Sequence, residues 1–233
     1  MGKVDLKIDW ATHEAAKYAC IHWHYSKSIP KSKLVKIGAW EDGNFIGVVI
    51  FSYGATPQIG SPYKLKQIEI CELTRVALRE HITPVSKILS ICLKMLKKKE
   101  KGLRLIVSFA DGEQNHLGII YQATNWIYAG KTKPGRVGFF AKGKKIHTRT
   151  IGSMPGGVQS LSWVKQHLDK NATEWIGVEK HRYLMPLDDE MRKQIEPLRK
   201  PYPKRDKQAI GNDQLHSGGA APTVTLQNEG TDD

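Results

Sequence analysis

The side chains best suited to chemistry fall in two stretches. Leu103 to Gly130 reads LRLIVSFADGEQNHLGIIYQATNWIYAG and carries Ser108, Asp111, His116 and Tyr121. Nearer the N-terminus stands His22-Trp23-His24-Tyr25-Ser26. Imidazole and carboxylate with open positions suit a redox-active transition metal, and a tyrosinate can complete such a set. His22 and His24 share a side only in extended chain. A phenol with a pKa near 10 can donate a proton to a leaving group, which is a role open to Tyr121. Ser108 can bond a substrate or its own backbone. Glu72 and Arg75 can act on a substrate or simply pair with each other. Asp111 and His116 can equally serve as turn, cap or packing residues.

The elements that must position these groups follow from periodicity. Residues 10–23 have helical texture, and a loop through Pro30 follows. Residues 35–53 form a hairpin around Glu41-Asp42-Gly43-Asn44. Residues 67–78 read as a strand. In the helix 84–99, Val85, Ile88, Leu89, Cys92, Leu93 and Leu96 fall on one face. It opens at Pro84 and closes on three lysines and Gly102. A strand at 103–109, a helix at 115–125 and a strand near 126–129 follow. Then come a basic strand-like segment at 131–149, a loop at 151–157, a helix at 158–170, a strand at 175–185 and a short helix from Asp188. This order predicts an α/β (α+β) fold with a mixed central sheet flanked by helices. The piece 67–109 must be a right-handed crossover between parallel strands, with ligands favoured at their carboxyl ends. Asp111 lies past one such end and Arg79 to His81 past the other.

Charge narrows the partner. The chain carries +13, and because the segment from Asp206 onward is net −4, residues 1–205 carry +17. Such a field favours a polyanion. Lys131, Lys133, Arg136, Lys142, Lys144, Lys145 and Arg149 put seven positive charges and no acid into 19 residues, with Phe139 and Phe140 among them. That mixture suits phosphates and unstacked bases, and it also suits an ordinary basic hairpin. No apolar run is long enough to span a bilayer, the N-terminus has no signal-peptide pattern, and no membrane partner is expected. The three separated cysteines read as buried free thiols. Residues 206–233 have almost no core residues and read as a disordered tail, leaving 1–205 as one catalytic domain with a basic extension from about 131.

Residues 6–145 resemble the GNAT acyltransferase fold. The hairpin resembles its second and third strands, QIEICELTRVAL its fourth, and LRLIVSFAD its fifth. NHLGIIYQATNWIYAG resembles its active-site helix, with Asn125-Trp126 where Gly-Phe is usual. In that fold a glycine-rich loop before the main helix offers N–H groups to the acyl-CoA pyrophosphate. Here the loop is Arg79-Glu80-His81-Ile82-Thr83-Pro84, without glycine. Arg79, His81 and Thr83 are its candidate cofactor-binding residues, and the donor, acetyl-CoA or another, stays open.

A closer resemblance is to the Mom family of phage DNA-modification proteins. It is carried by HYSKSIP, ELTRVAL, TPVSKILSICLKML, SFAD, GIIYQATNWIYAG and PLDDEMRKQIEPLRKPYPKR, spanning 24–205. The resemblance implies conversion of adenine in DNA to N6-carbamoylmethyladenine in the cytoplasm of an infected bacterium, shielding phage DNA from restriction. It also implies an iron centre from His24, Tyr25 and Asp111, with Tyr121 an additional active-site residue. Ser108, Glu72 and Arg75 are further catalytic candidates by their own chemistry. Adenine N6 is paired inside duplex DNA, so the partner is a duplex with a flipped adenine or single-stranded DNA. A homodimer is left open. Two other readings remain: a GNAT N-acyltransferase acting on a protein or small amine, and a non-catalytic basic DNA-binding protein.

Overall fold

The computed structural model describes residues 4–53 and 57–204, so the expected disordered tail lies outside the described residues. The chain forms two compact units. The first comprises the chain up to Phe109, Gly118–Ala129 and the chain from Tyr183; the second comprises Ala110–Leu117 and Gly130–Arg182.

The first unit is built on a seven-stranded sheet. Its strands are β1 (Leu6–Trp10), β2 (Leu34–Glu41), β3 (Asn44–Ser52), β4 (Ile70–Leu78), β5 (Leu105–Asp111), β6 (Ile127–Lys131) and β10 (Lys180–Pro186), in the order β1-β2-β3-β4-β5-β10-β6. The β2–β3 and β3–β4 pairs are antiparallel, and β4–β5 is parallel. Every acyltransferase-like strand is thus in the position that the resemblance assigns. Strand β1 and the insertion of β10 between β5 and β6 were not foreseen from the sequence.

Helices cover both faces. Helix α1 (His13–Trp23) packs Ala16, Ala19 and Cys20 against Val48, Ile50 and Ala77. Its N-cap Thr12 accepts the Ala15 N–H at 3.1 Å, satisfying one orphan donor. Helix α2 (Val85–Lys99) buries Ile88, Leu89, Cys92, Leu93 and Leu96, the face expected from their spacing. All three cysteines are free and buried. Among the described residues no helix is long and apolar enough to cross a membrane.

The late chain locks the far edge of this sheet. Helix α6 (Asp189–Ile195) sends Met191 and Ile195 into a core with Leu105, Val107, Ile127 and Leu184. Arg104 Nε and a terminal nitrogen grip the Asp188 carboxylate at 2.9 and 3.1 Å, and Asp188 Oδ1 also accepts the Met191 N–H at 2.7 Å. Asp188 is therefore both helix cap and anchor.

The second unit has a three-stranded sheet, β8-β7-β9, of β7 (Arg136–Ala141), β8 (Lys144–His147) and β9 (Thr173–Ile176). Helices α4 (Thr148–Gly152) and α5 (Leu161–His167) contribute Ile151 and Val164 to a core with Phe139, Ala141 and Ala172. The single strand expected at 175–185 is in fact the end of β9 and most of β10, interrupted at residues 177–179.

Asp188→Ala should lower global stability by about 1–2 kcal/mol, because cap and anchor are lost together. Chemical denaturation checks this; an unchanged midpoint would show that the grip is energetically idle.

Candidate functional site

Strands β4 and β5 pair at Ile70–Leu105, Cys71–Ile106 and Glu72–Val107, and no pair follows. Both strands continue, β4 to Leu78 and β5 to Asp111, so beyond Glu72 they are no longer laddered. Ser108 stands at this parting. Its Oγ lies 2.8 Å from Leu73 O and 2.8 Å from the Tyr121 hydroxyl. A serine has one hydroxyl proton and a carbonyl can only accept. With both bonds standing, Ser108 donates to Leu73 O and Tyr121 donates to Ser108.

Tyr121 comes from α3 (Ile119–Gln122). This helix is shorter than the expected 115–125, because Asn115 and Gly118 take left-handed conformations with φ of 53° and 72°. A Cβ at Gly118 would lie 2.4 Å from the Tyr183 ring and 2.8 Å from the Tyr121 ring, so only glycine allows the close packing. Asn125, where Gly is usual, also has a positive φ, at 60°, which asparagine tolerates better than most residues. Trp126 and Tyr183 flank Tyr121 with ring centroids at 5.1 and 5.0 Å. Burial pushes the Tyr121 phenol up to about 12; the Ser108 hydrogen bond opposes this, while Tyr25 and Glu72 reinforce it. The phenol therefore stays protonated at neutral pH.

The Arg75 guanidinium donates to Thr74 O at 2.7 Å and to Ser28 O at 3.3 Å, tying β4 to the loop after α1. His24 caps the C-terminus of α1 and is buried, whereas Tyr25 is exposed. His22 stays in the helix, its ring tilted against Tyr18 with centroids 4.2 Å apart, so the two histidines do not share an extended segment.

His24 Nδ1 lies 3.1 Å from the Ser26 N–H and 2.9 Å from Ser26 Oγ. A backbone N–H can only donate, so Nδ1 accepts and the ring proton sits on Nε2. In that tautomer the outer nitrogen carries the ring proton and cannot ligate a metal. Ligation requires the proton to move to Nδ1, facing Ser26 Oγ, and the Ser26 N–H bond to break. As arranged, His24 would have to change tautomer before its outer nitrogen could ligate a metal. Among the described residues no three His, Cys, Asp or Glu side chains cluster as metal ligands.

The loop before α2 is also already engaged. Ile82 N and Thr83 N donate to the two oxygens of Glu41 at 2.9 and 2.6 Å, and His81 Nδ1 bonds Arg79 O at 2.7 Å. Glu41 is buried. Burial raises its carboxyl, but the bonds from Thr83 and Ile82 outweigh that and hold it below the usual range. The N–H groups that could meet a diphosphate meet an internal carboxylate, Pro84 offers none, and this loop does not fit a CoA cradle. Glu41 read as a hairpin-turn residue in the sequence; its partners lie more than forty residues further on.

The remaining expected site residues lie in the second unit. Asp111 Oδ1 accepts the Glu113 N–H at 3.1 Å, and Oδ2 lies 3.7 Å from Lys180 Nζ. Its backbone carbonyl accepts the His116 N–H at 3.1 Å, and burial lowers the His116 pKa against the pull of Asp111. Of the seven basic residues, Lys131 pairs with Glu179 and Arg136 with Glu174, each at 3.0 Å. Lys133, Lys142, Lys144 and Arg149 are exposed, as is Lys145.

Glu41→Gln should cost about 1–3 kcal/mol, the worth of hydrogen bonds to a charged acceptor. Because the folded carboxyl is depressed, this stabilisation is fully present above the usual glutamate range and lost as pH falls from there through the lowered folded value. Denaturation at neutral and acid pH should show a wild-type advantage that shrinks on acidification. Calorimetry with acetyl-CoA should give no saturable heat; saturable binding would contradict the reading of this loop.

Comparison with known proteins agrees with the sequence resemblance. The model of the Mom protein family matches residues 5–204. The methylcarbamoylase Mom of Escherichia phage Mu is 21% identical over 210 residues, covering 87% of this chain and 86% of that protein. Among solved structures, a putative acetyltransferase from Acinetobacter baylyi ADP1 is similar at a TM-score of 0.46 and 12% identity, over 87% of this chain and 99% of that one. The N-acyl amino acid synthase FeeM from uncultured soil microbes is similar at 0.45 and 10%, over 82% and 95%. With its family match running through both units, the chain belongs to the Mom protein family.

Proposed function

We propose that this protein is a phage DNA-modification enzyme that transfers a carbamoylmethyl group to N6 of adenine and thereby shields phage DNA from host restriction. The observation that carries the reading is the family match over 5–204, reinforced by the phage Mu relative whose name is methylcarbamoylase. The +17 charge of residues 1–205 suits a DNA substrate, with Lys133, Lys142, Lys144, Lys145 and Arg149 as phosphate contacts. Lys131 and Arg136 are already paired and contribute less.

The transfer forms a bond from adenine N6 to the methylene carbon of the carbamoylmethyl group. The bond from that carbon to the donor's leaving group breaks, and N6 gives up one proton. Tyr121 is the candidate acid for the leaving group. A phenol pushed up to about 12 holds its proton until negative charge develops beside it. When Tyr121 turns its proton outward, Ser108 can turn its own from Leu73 O to the Tyr121 oxygen and stabilise the incipient phenolate. Glu72, close enough to raise the phenol further, disfavours that phenolate and keeps the resting state protonated. Asp111, with its carboxylate next to Lys180, is the candidate acceptor for the N6 proton. Tyr25 is a polar neighbour of Tyr121; no step runs through iron or CoA.

Tyr121→Phe should cut the yield of modified adenine by about 10²–10⁴-fold, the usual worth of a positioned acid. Ser108→Ala should cut it less, and Asp111→Ala should abolish it. The measurement is mass spectrometry of nucleosides from DNA of cells expressing each variant, with melting curves to show that the variants fold. Full activity in Tyr121→Phe would remove the proposed acid, and an unmodified adenine profile with folded wild-type protein would sink the reading.

A further inference from the structure

The three-stranded sheet of the second unit has one covered face and one open face. Side chains alternate along a strand, so neighbours in sequence point to opposite faces. Phe139 is fully buried with Ala141, Ile151 and Val164, and the partly buried Ile146 packs against them. Phe140, the next residue, is 42% exposed. Phe140 lies opposite Lys145 on one side and Thr173 on the other, and Gly138 lies opposite His147 and Trp175. The open face is therefore Phe140, Gly138, Lys145, His147, Thr173 and Trp175.

This face has the makings of a stacking platform. The Phe140 and Trp175 ring centroids are 6.4 Å apart. Lys145 Nζ sits 5.8 Å from the Phe140 ring and 4.7 Å from the Trp175 ring, so a cation is held over two aromatic faces. In the same row as Phe140, a Cβ on Gly138 would lie 2.1 Å from Ile146 O, so only glycine fits there and no side chain stands at that position. The acid nearest in sequence, Glu174, points to the other face and is held by Arg136. The segment 131–149, which supplies two of the three strands, has seven basic residues and no acid. Aromatic rings under a positive field bind unstacked bases by their π-faces and their phosphates by charge, whereas duplex backbone needs charge alone.

We propose that the open face of this sheet docks an unpaired DNA strand, with bases stacked on Phe140 and Trp175 and a phosphate drawn to Lys145. The partner being DNA rests on the reading of function above; the surface itself rests on the sheet register and ring geometry. In such a complex the Lys145 ammonium swings from the rings to the phosphate, and the bases take its place.

The test is fluorescence anisotropy of a labelled oligo(dT) and of a duplex of equal length, titrated with the full chain over a range of salt. Phe140→Ala and Trp175→Ala should each weaken oligo(dT) binding by about 5- to 100-fold, with duplex binding changed less than about threefold. The salt slope should be unaltered in both, and Lys145→Ala should lower it by about 0.7. Wild-type oligo(dT) affinity in the folded Phe140→Ala/Trp175→Ala double variant would overturn the proposal, as would equal losses on strand and duplex. Where the double variant has lost oligo(dT) affinity but the wild type modifies no adenine in cells, the platform stands and the reading of function falls. Where adenine is modified and the double variant binds oligo(dT) normally, the platform alone falls.

Discussion

Everything proposed for the first unit depends on one parting of strands. A parallel pair that stays laddered satisfies its own backbone and has no room for a ligand. Here the β4–β5 ladder ends at Glu72–Val107, and the next carbonyl, Leu73 O, is satisfied by a side chain, Ser108, rather than by a strand. That substitution fixes Ser108 and, through it, the Tyr121 hydroxyl. The carbonyl after it, Thr74 O, is satisfied by Arg75, which also reaches the loop that carries His24 and Tyr25. The opening is therefore not left as bare backbone. Its polar groups are met by the residues that the chemistry would use.

A second constraint is the buried carboxylate of Glu41. Backbone N–H groups at the start of a helix are a ready anion site. In this chain the anion is internal, covalently attached, and shielded from solvent. A diphosphate would have to displace it against like charge. The loop that opens α2 thus spends its N–H groups on holding the β2 end of the sheet to the start of the helix.

How much of this was legible in the sequence depends on the range of the interaction. Helix α2 was legible because its apolar residues recur at helical spacing and its ends carry Pro84 and three lysines. The β4–α2–β5 crossover was legible because strand, helix and strand follow without a break. Ser108 and Tyr121 stood out as residue types, but their hydrogen bond was not readable, since it depends on where β5 parts from β4. The shortening of α3 was missed because Asn115 and Gly118 look like ordinary polar-turn and helix residues until their left-handed backbone is seen. Phe139 and Phe140 could not be told apart by sequence, because a strand's register decides which faces inward. Glu41 and Trp175 were missed for a common reason: each acquires its meaning from a partner on another strand or loop.

The central claim is that this member of the Mom family modifies adenine in DNA. The most direct measurement is mass spectrometry of nucleosides hydrolysed from the DNA of cells that express the wild-type chain. The account requires a new adenine nucleoside heavier by a carbamoylmethyl group, with cytosine, guanine and thymine nucleosides unchanged. Adenine of unaltered mass in cells that contain the folded protein would contradict it.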